Sequence, residues 1–458
     1  MNLLSYKYIY LIGIGGIGMS ALARYFKKKG KIIYGYDMQK SDLCIKLQNE
    51  GMFICYHDNI LLIPDEIKES KHNETLIIYT PAITYDNNIF TYFKDEGFIF
   101  FKRAEVLGCI SKESFTIAIS GTHGKTTTST ILSHILKQSG KDITAFLGGI
   151  SLNYNTNILI GNEKSILIVE ADEFDRSFLN LHPDIAIITS VDSDHLDTYK
   201  DKNDLYLAFQ KFASQVKEKG FLLIENSINI DFKTPYLGHK YRYSAKRDTD
   251  FFAKNINIKN GKTFFDFVVF NKIKETIELN MPGIHNLSNA IAASAISCNL
   301  GLSFNNIAEG LKTFKGIKRR YEKHINTEKL VYIDDYAHHP EEVSKTIDTT
   351  KELYPLRKLI VVFQPHLYSR TKDLANEFAE SLQRADDLVL LDIYPAREKP
   401  IIGIDSYMLL ELCDNPKKEV CSKDKLLSIL DNKEIDVLLT LGAGDIGNLV
   451  EPIKHMIN

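Results

Sequence analysis

No apolar run in the 458 residues approaches the roughly 18 residues that a membrane-spanning helix needs, which argues against a membrane protein. The first stretch, Met1 to Ile12, carries one lysine before a short apolar run that passes straight into glycines, and no small-residue cleavage site follows, so no secretory leader is expected. Cysteine is scarce. The six present (Cys44, Cys55, Cys109, Cys298, Cys413 and Cys421) form no C-x-x-C and pair with no histidine at zinc spacing, which excludes a disulfide framework and a structural zinc site. They read as thiols of a reducing compartment, and the expected location is the cytoplasm. Net charge is also small: at −3 there is no bulk attraction for nucleic acid or anionic lipid, so neither is expected as a partner and any anion site must be built locally. Apolar residues at 44% and charged residues at 25% are ordinary for a globular chain, and the length predicts two or three domains.

What is present centres on Phe115 to Thr128, F-T-I-A-I-S-G-T-H-G-K-T-T-T. An apolar run of strand length enters a loop with two glycines, and Ser129 to Gln138 can continue as a helix. Glycines let backbone N–H groups close round phosphate oxygens, and a helix N-terminus adds positive potential. Lys125 can neutralise β and γ phosphates and Thr126 can ligate Mg²⁺. The stretch predicts a nucleoside triphosphate site. It departs from G-x-x-x-x-G-K-[ST] in that Ile119 stands at the first glycine position; the plainer reading is a glycine-rich turn between strand and helix.

Ahead of it, Tyr8 to Ile12 is a β run followed by Gly13-Ile14-Gly15-Gly16-Ile17-Gly18, a helical pattern from Met19 to Lys29, and a second β run ending at Asp37. By pattern this is a dinucleotide fingerprint, a tight turn against a pyrophosphate with a carboxylate at the ribose; the same turn serves any diphosphate-linked nucleotide. With β runs at Leu76 to Tyr79 and Phe98 to Phe101 it predicts a first α/β domain over 1–108. The second, over 109–316, contains two buried strands that deliver acid-rich loops, Glu170-Ala171-Asp172-Glu173-Phe174-Asp175 and Ser190-Val191-Asp192-Ser193-Asp194-His195-Leu196-Asp197. Oxygen ligands beside a phosphate loop suit Mg²⁺, with Glu170 and His195 best placed, although solvated loops are often acidic. Further on, an amphipathic helix over Asn203 to Lys219, antiparallel strands from Phe251 to Leu279 with a turn at Asn260-Gly261, and an alanine-rich helix to Leu300 are expected. Asn286 and Asn289 lie on one face of that last helix, where both amides could reach one base edge; capping alone also explains either. The third domain, 317–458, follows a basic stretch, Lys315 to Arg320. Its strands at Leu330, Leu359, Leu388 and Val437 alternate with helices and deliver D-D-Y-A-H-H-P at Asp334, Q-P-H-L-Y-S-R-T at Gln364 and G-A-G-D-I-G at Gly442.

These motifs together resemble the Mur ligases of bacterial peptidoglycan synthesis, and among them the members that add the first amino acid. The likeness runs the whole length and is carried by Gly13 to Met19, Gly121 to Thr128, E-A-D-E at Glu170, His285-Asn286, Asp334 to Pro340, F-Q-P-H at Phe363 and Gly442 to Ile446. The histidine at His123 fits that branch, since later Mur ligases typically carry asparagine there. The resemblance implies an α/β chain with a Rossmann-like N-terminal domain, a central P-loop ATPase-type domain and a Rossmann-like C-terminal domain. It implies an enzyme joining L-alanine to UDP-N-acetylmuramate at the expense of ATP with Mg²⁺, small-molecule partners only, and a monomer or weak homodimer. Gly13, Gly15, Gly16, Ile17, Gly18 and Asp37 then match the UDP-sugar site. Gly121, Thr122, His123, Gly124, Lys125, Thr126, Thr127, Asn286, Asn289, Arg320 and Asp335 match contacts to ATP. Thr126, Glu170 and His195 match metal ligands, and Tyr336, His338 and Arg370 match the surroundings of the incoming amino acid. Lys125, Glu170, His195, His338 and Arg370 are the residues implied in catalysis. Two departures are visible, Leu367 where many members carry arginine and Phe174 where a smaller residue is common. Alternatives are a recycling ligase that takes a preformed peptide, a nicotinamide dehydrogenase, and a non-catalytic nucleotide sensor.

Overall fold

The computed structural model describes residues 2–84, 86–192, 199–232, 240–259, 261–396 and 398–458. His195, with Ser193, Asp194, Leu196 and Asp197, and Asn260 of the expected turn lie outside the described residues. The architecture is α/β with three sheets. The first has strand Tyr8–Ile12 at its centre, Ile32–Tyr36 and Thr75–Tyr79 on either side, and Phe53–Cys55 and Ile99–Lys102 at the edges, all parallel. Strand order reverses at Tyr8–Ile12. The glycine turn that follows it therefore opens at the switch point of the sheet, where parallel α/β sheets take their ligands.

The second sheet has ten strands, and at its middle Thr116–Ser120 lies between Ile185–Ile188 and Ile166–Ala171, parallel to both. This is why its strand segments read as unbroken apolar runs: Ile117, Ala118 and Ile119 are covered on both faces of the sheet and fully buried. The same register sets the two acid-rich strand ends on either side of the phosphate loop, with Ser120 opposite Ile188 and Ala171. Strands Phe251–Lys259, Lys262–Val269 and Lys272–Leu279 extend one end of this sheet as consecutive neighbours. The third sheet runs Glu322–Asn326, Val331–Asp335, Val437–Leu441, Leu359–Phe363, Asp387–Leu391, Lys418–Cys421; its first strand is antiparallel, with a bulge between Lys323 and Ile325, and the rest are parallel.

Two compact units result, one of Met1–Asn257, Phe264–Leu279 and Asn286–Lys315, the other of Ile258–Thr263, Asn280–His285 and Gly316–Asn458. Within the first unit, helix Ile17–Lys28 joins the two sheets. Asn157 Nδ2 donates to Ile17 O (2.6 Å), Arg24 donates to Asn157 Oδ1 (2.6 Å), and the rings of Tyr25 and Phe146 lie 5.6 Å apart. The amphipathic helix expected over Asn203 to Lys219 is Lys202–Ser214; it starts where Asp201 accepts the Asp204 N–H, and ends one turn early. Among the described residues no helix is long and apolar enough to cross a membrane, and all six cysteines are free.

Candidate active site

Helix Lys125–Gln138 starts at Gly124, whose φ of +84° is the left-handed conformation that glycine adopts without strain. A Cβ on Gly124 would stand 2.5 Å from Asn289 Oδ1, so the turn is both left-handed and closed against a neighbour. That neighbour is anchored: Thr128 Oγ1 donates to Asn289 Oδ1 (3.2 Å), and Asn286 is buried on the same helix, Ile284–Asn299. The other side of the loop is tied to the strand end at Ser190. His123 N donates to Ser190 Oγ (2.8 Å), the Thr122 and Ser190 hydroxyls lie 2.8 Å apart, and Thr189 Oγ1 donates to His123 O. His123 Nε2 is 3.7 Å from Asp192. The loop is thus held on both sides by hydrogen bonds to its neighbouring elements.

Lys125 turns inward. Its Nζ donates to both oxygens of Glu173 (2.7 and 2.9 Å) and to Gly121 O (2.6 Å), and Glu173 is fully buried. Burial works against the charge, but Glu173 and Asp172 outweigh it and hold the lysine above its ordinary pKa, so it is a cation at any physiological pH. Glu170 takes the other oxygen donors. It accepts from Gly148 N (2.6 Å), Ser129 Oγ (2.9 Å) and Thr126 Oγ1 (3.1 Å). Burial pushes its pKa up, opposed by those hydrogen bonds and by Lys125. A carboxylate and a hydroxyl side by side at a helix N-terminus are a donor set of oxygens only, which fits a hard divalent cation.

In the N-terminal turn Asp37 Oδ2 accepts from Gly15 N (2.8 Å) and Oδ1 from Gln39 N (3.0 Å). The carboxylate expected at a ribose therefore also braces the turn. A Cβ on Gly15 would stand 2.5 Å from Cys44 Sγ and 2.9 Å from Asp37 Oδ2, and one on Gly18 2.6 Å from Arg103. A side chain at Gly15 would have to displace Cys44 Sγ and the Asp37 carboxylate, and one at Gly18 the end of Arg103.

In the second unit, three strand ends bring the remaining residues together. Asp335 Oδ2 accepts from Tyr321 N (2.6 Å) and Oδ1 from Ala337 N (2.7 Å); burial raises its pKa to about 6, against the pull of Arg320 and of those two N–H groups. Arg320 lies over the Tyr336 ring at 5.2 Å and reaches Glu342 only loosely, at 3.8 Å. His338 Nδ1 is 3.0 Å from Tyr336 O and 3.3 Å from Glu342, two acceptors that fix the proton on Nδ1 and leave Nε2 the lone pair. Burial lowers its pKa to about 4, Glu342 opposing and Arg370 assisting, so the ring is neutral at pH 7. Its ring lies 5.9 Å from that of His366, which stacks on Tyr394.

Across the whole length the chain is 48% identical to a UDP-N-acetylmuramate–L-alanine ligase of Flavobacterium psychrophilum, over 458 residues and 100% of both proteins. The chain belongs to the Mur ligase family. Three family models match in order: the Mur ligase family catalytic domain over residues 8–115, the Mur ligase middle domain over 119–297, and the Mur ligase glutamate ligase domain over 319–444. Among solved structures, a UDP-N-acetylmuramate–alanine ligase of Thermotoga maritima is similar with a TM-score of 0.81 and 26% identity, covering 98% of this chain and 99% of that one. A MurF ligase of the same organism, solved in complex with ADP, shares the fold with a TM-score of 0.61 at 17% identity, over 86% of this chain and 90% of that one.

In this Mur ligase the sequence passes over two residues that the structure puts at the centre. One is Glu173, a carboxylate of E-A-D-E that no pattern distinguishes from its neighbours. The other is Arg319, which donates to Asp334 (2.9 Å) and Gly442 O (2.6 Å) and so ties the D-D-Y and G-A-G strand ends together.

Proposed function

We propose that the chain is an ATP-dependent carbon–nitrogen ligase that joins L-alanine to the lactyl carboxylate of UDP-N-acetylmuramate, in the cytoplasm, as a step of peptidoglycan synthesis. The observation that carries the substrate is the full-length 48% identity to a ligase of that name. Domain boundaries at 1–108, 109–316 and 317–458 go with this reading, as does a monomer or weak homodimer that takes small molecules only.

The residues fit each part of the reaction. A carboxylate is a poor acyl donor, so the γ-phosphoryl group of ATP is first transferred to it, and the amine then displaces phosphate from the acyl phosphate. Positioning and charge neutralisation carry most of such chemistry. The turn Gly13, Gly15, Gly16, Ile17 and Gly18 with Asp37 receives the UDP diphosphate. Gly121 to Thr127 receives the ATP phosphates, with Lys125 on the transferring group. Asn286 and Asn289 serve the adenine, and Arg320 and Asp335 a phosphate and the ribose. Thr126, Glu170 and His195 would hold Mg²⁺, which supplies charge stabilisation at the phosphates when bound. Tyr336, His338 and Arg370 surround the amino acid. Arg370 serves the carboxylate, and the Nε2 lone pair of neutral His338 can accept a hydrogen bond from the incoming amine and orient it, the nitrogen having to be neutral to attack.

The test is phosphate release measured with UDP-N-acetylmuramate, ATP and a panel of acceptors, with products read by mass spectrometry. Release that requires UDP-N-acetylmuramate and L-alanine together is expected. A preference for a preformed peptide would make it a recycling ligase, and turnover of a nicotinamide cofactor instead would reinstate a dehydrogenase.

A further inference from the structure

The segment that carries Arg370 does not hold its shape alone. Leu367 sits at φ +70°, in the left-handed region that a side-chain-bearing residue rarely occupies, and helix Tyr368–Asp373 starts directly after it. A second segment, on the neighbouring strand end, grips it from the side. Tyr394 N donates to Pro365 O (2.8 Å), Leu367 N donates to Tyr394 O (2.9 Å), and the ring of His366 stacks on that of Tyr394 with centroids 5.7 Å apart and planes at 24°. Four residues on, Glu398 completes the grip. Its Oε2 accepts from Ser369 N (3.0 Å) and its Oε1 from Ser369 Oγ, while its own N–H closes a turn onto Pro395 O (2.8 Å).

A carboxylate that takes both the backbone and the side-chain donor of one residue fixes that residue's position and its backbone direction. The residue fixed is Ser369, and the next is Arg370. His366, two residues before the helix, lies with its ring 5.9 Å from that of His338, so the gripped segment borders the His338 pocket. We propose that Glu398 is a positioning residue of the amino-acid subsite: by capping Ser369 it sets the direction of Arg370, and with it the place where the carboxylate of the incoming amino acid is held. This rests on the ligase reading and on the role that reading gives Arg370. On this proposal Glu398 acts through Ser369.

A purely structural role would lower stability or move every kinetic constant, whereas positioning separates them. The experiment is steady-state kinetics of the full chain with each of the three substrates varied in turn, for Glu398→Ala, Glu398→Gln and Ser369→Ala, with thermal melting alongside. Glu398→Ala is expected to raise KM for L-alanine by about tenfold to a hundredfold, the scale on which small misplacements of a binding group act, with KM for ATP and for UDP-N-acetylmuramate within about twofold of wild type. Glu398→Gln keeps one acceptor and Ser369→Ala keeps the N–H donor, so both should give smaller rises in the same constant. An unchanged KM for L-alanine in Glu398→Ala, or equal rises in all three constants, would overturn the proposal. A wild-type enzyme that releases no phosphate with L-alanine would instead overturn the ligase reading, and that measurement comes first.

Discussion

Glu173 is fully buried and both its oxygens lie on Lys125, so the phosphate loop holds its lysine against a carboxylate that phosphate must outcompete. Removing one partner of a buried pair is expensive, about 3 kcal/mol or more, because the other charge is left uncompensated. Glu173→Gln should therefore lower the melting temperature of the enzyme without nucleotide and tighten ADP binding, since phosphate then supplies the missing negative charge. Weaker ADP binding by calorimetry would refute this. Asp335 makes a pH prediction of the opposite kind. Its folded-state pKa of about 6 lies above the ordinary 3.8, so the native state keeps a proton that the unfolded chain gives up; stability from this group is full below pH 4 and falls as pH rises to 6. If ribose hydroxyls bind the ionised form, as proposed, ATP affinity should fall about fivefold between pH 6 and pH 5, and Asp335→Asn should abolish that dependence. A flat binding profile in the wild type would count against it. Lys125 stood out in the sequence by its phosphate-loop spacing, and Asp335 only through the family resemblance. The sequence could not show which carboxylate of E-A-D-E turns inward, nor that Arg319 rather than Arg320 ties two strand ends together, since Arg319 takes a left-handed φ of +61° that no residue type announces.

At the scale of elements, the legible parts were those whose periodicity is set by burial on both faces. Leu359–Phe363 is wholly buried and matches its apolar run residue for residue; Ile143–Ser151 and Glu322–Asn326 mix exposed and buried positions and gave no such signal. The glycine turn after Tyr8–Ile12 was legible in kind but not in detail. The expected ribose carboxylate, Asp37, also accepts the Gly15 N–H, and Cys44 Sγ fills the space beside it. A valine at Gly15 must displace both, which breaks the brace and blocks backbone approach to a diphosphate. Gly15→Val should raise KM for UDP-N-acetylmuramate at least about tenfold, a loss of one close-contact site, while KM for ATP stays near wild type. Kinetics with each substrate varied separately would show it, and equal losses for both would point to misfolding instead.

At the scale of the molecule, the residues proposed for ATP are divided. Lys125, Thr126 and Asn289 belong to one compact unit and Arg320 and Asp335 to the other. On the proposed assignment ATP would have to draw on residues of both units, and closing on the ligand would keep water from an acyl phosphate it would hydrolyse. The chain crosses between the units several times, the last time between Lys315 and Gly316, and Gly316 has a φ of +101°, a conformation that glycine allows and a side chain resists. We place a hinge there, at the start of the basic stretch from Gly316 to Arg320. The radius of gyration from small-angle scattering should therefore fall when an ATP analogue and UDP-N-acetylmuramate are both bound, and Gly316→Val should blunt that change and slow turnover with little effect on UDP-sugar binding, whose proposed site lies in the first unit. An unchanged radius in the wild type, together with a wild-type KM for ATP in Asp335→Ala, would mean that the second unit takes no part in holding the nucleotide.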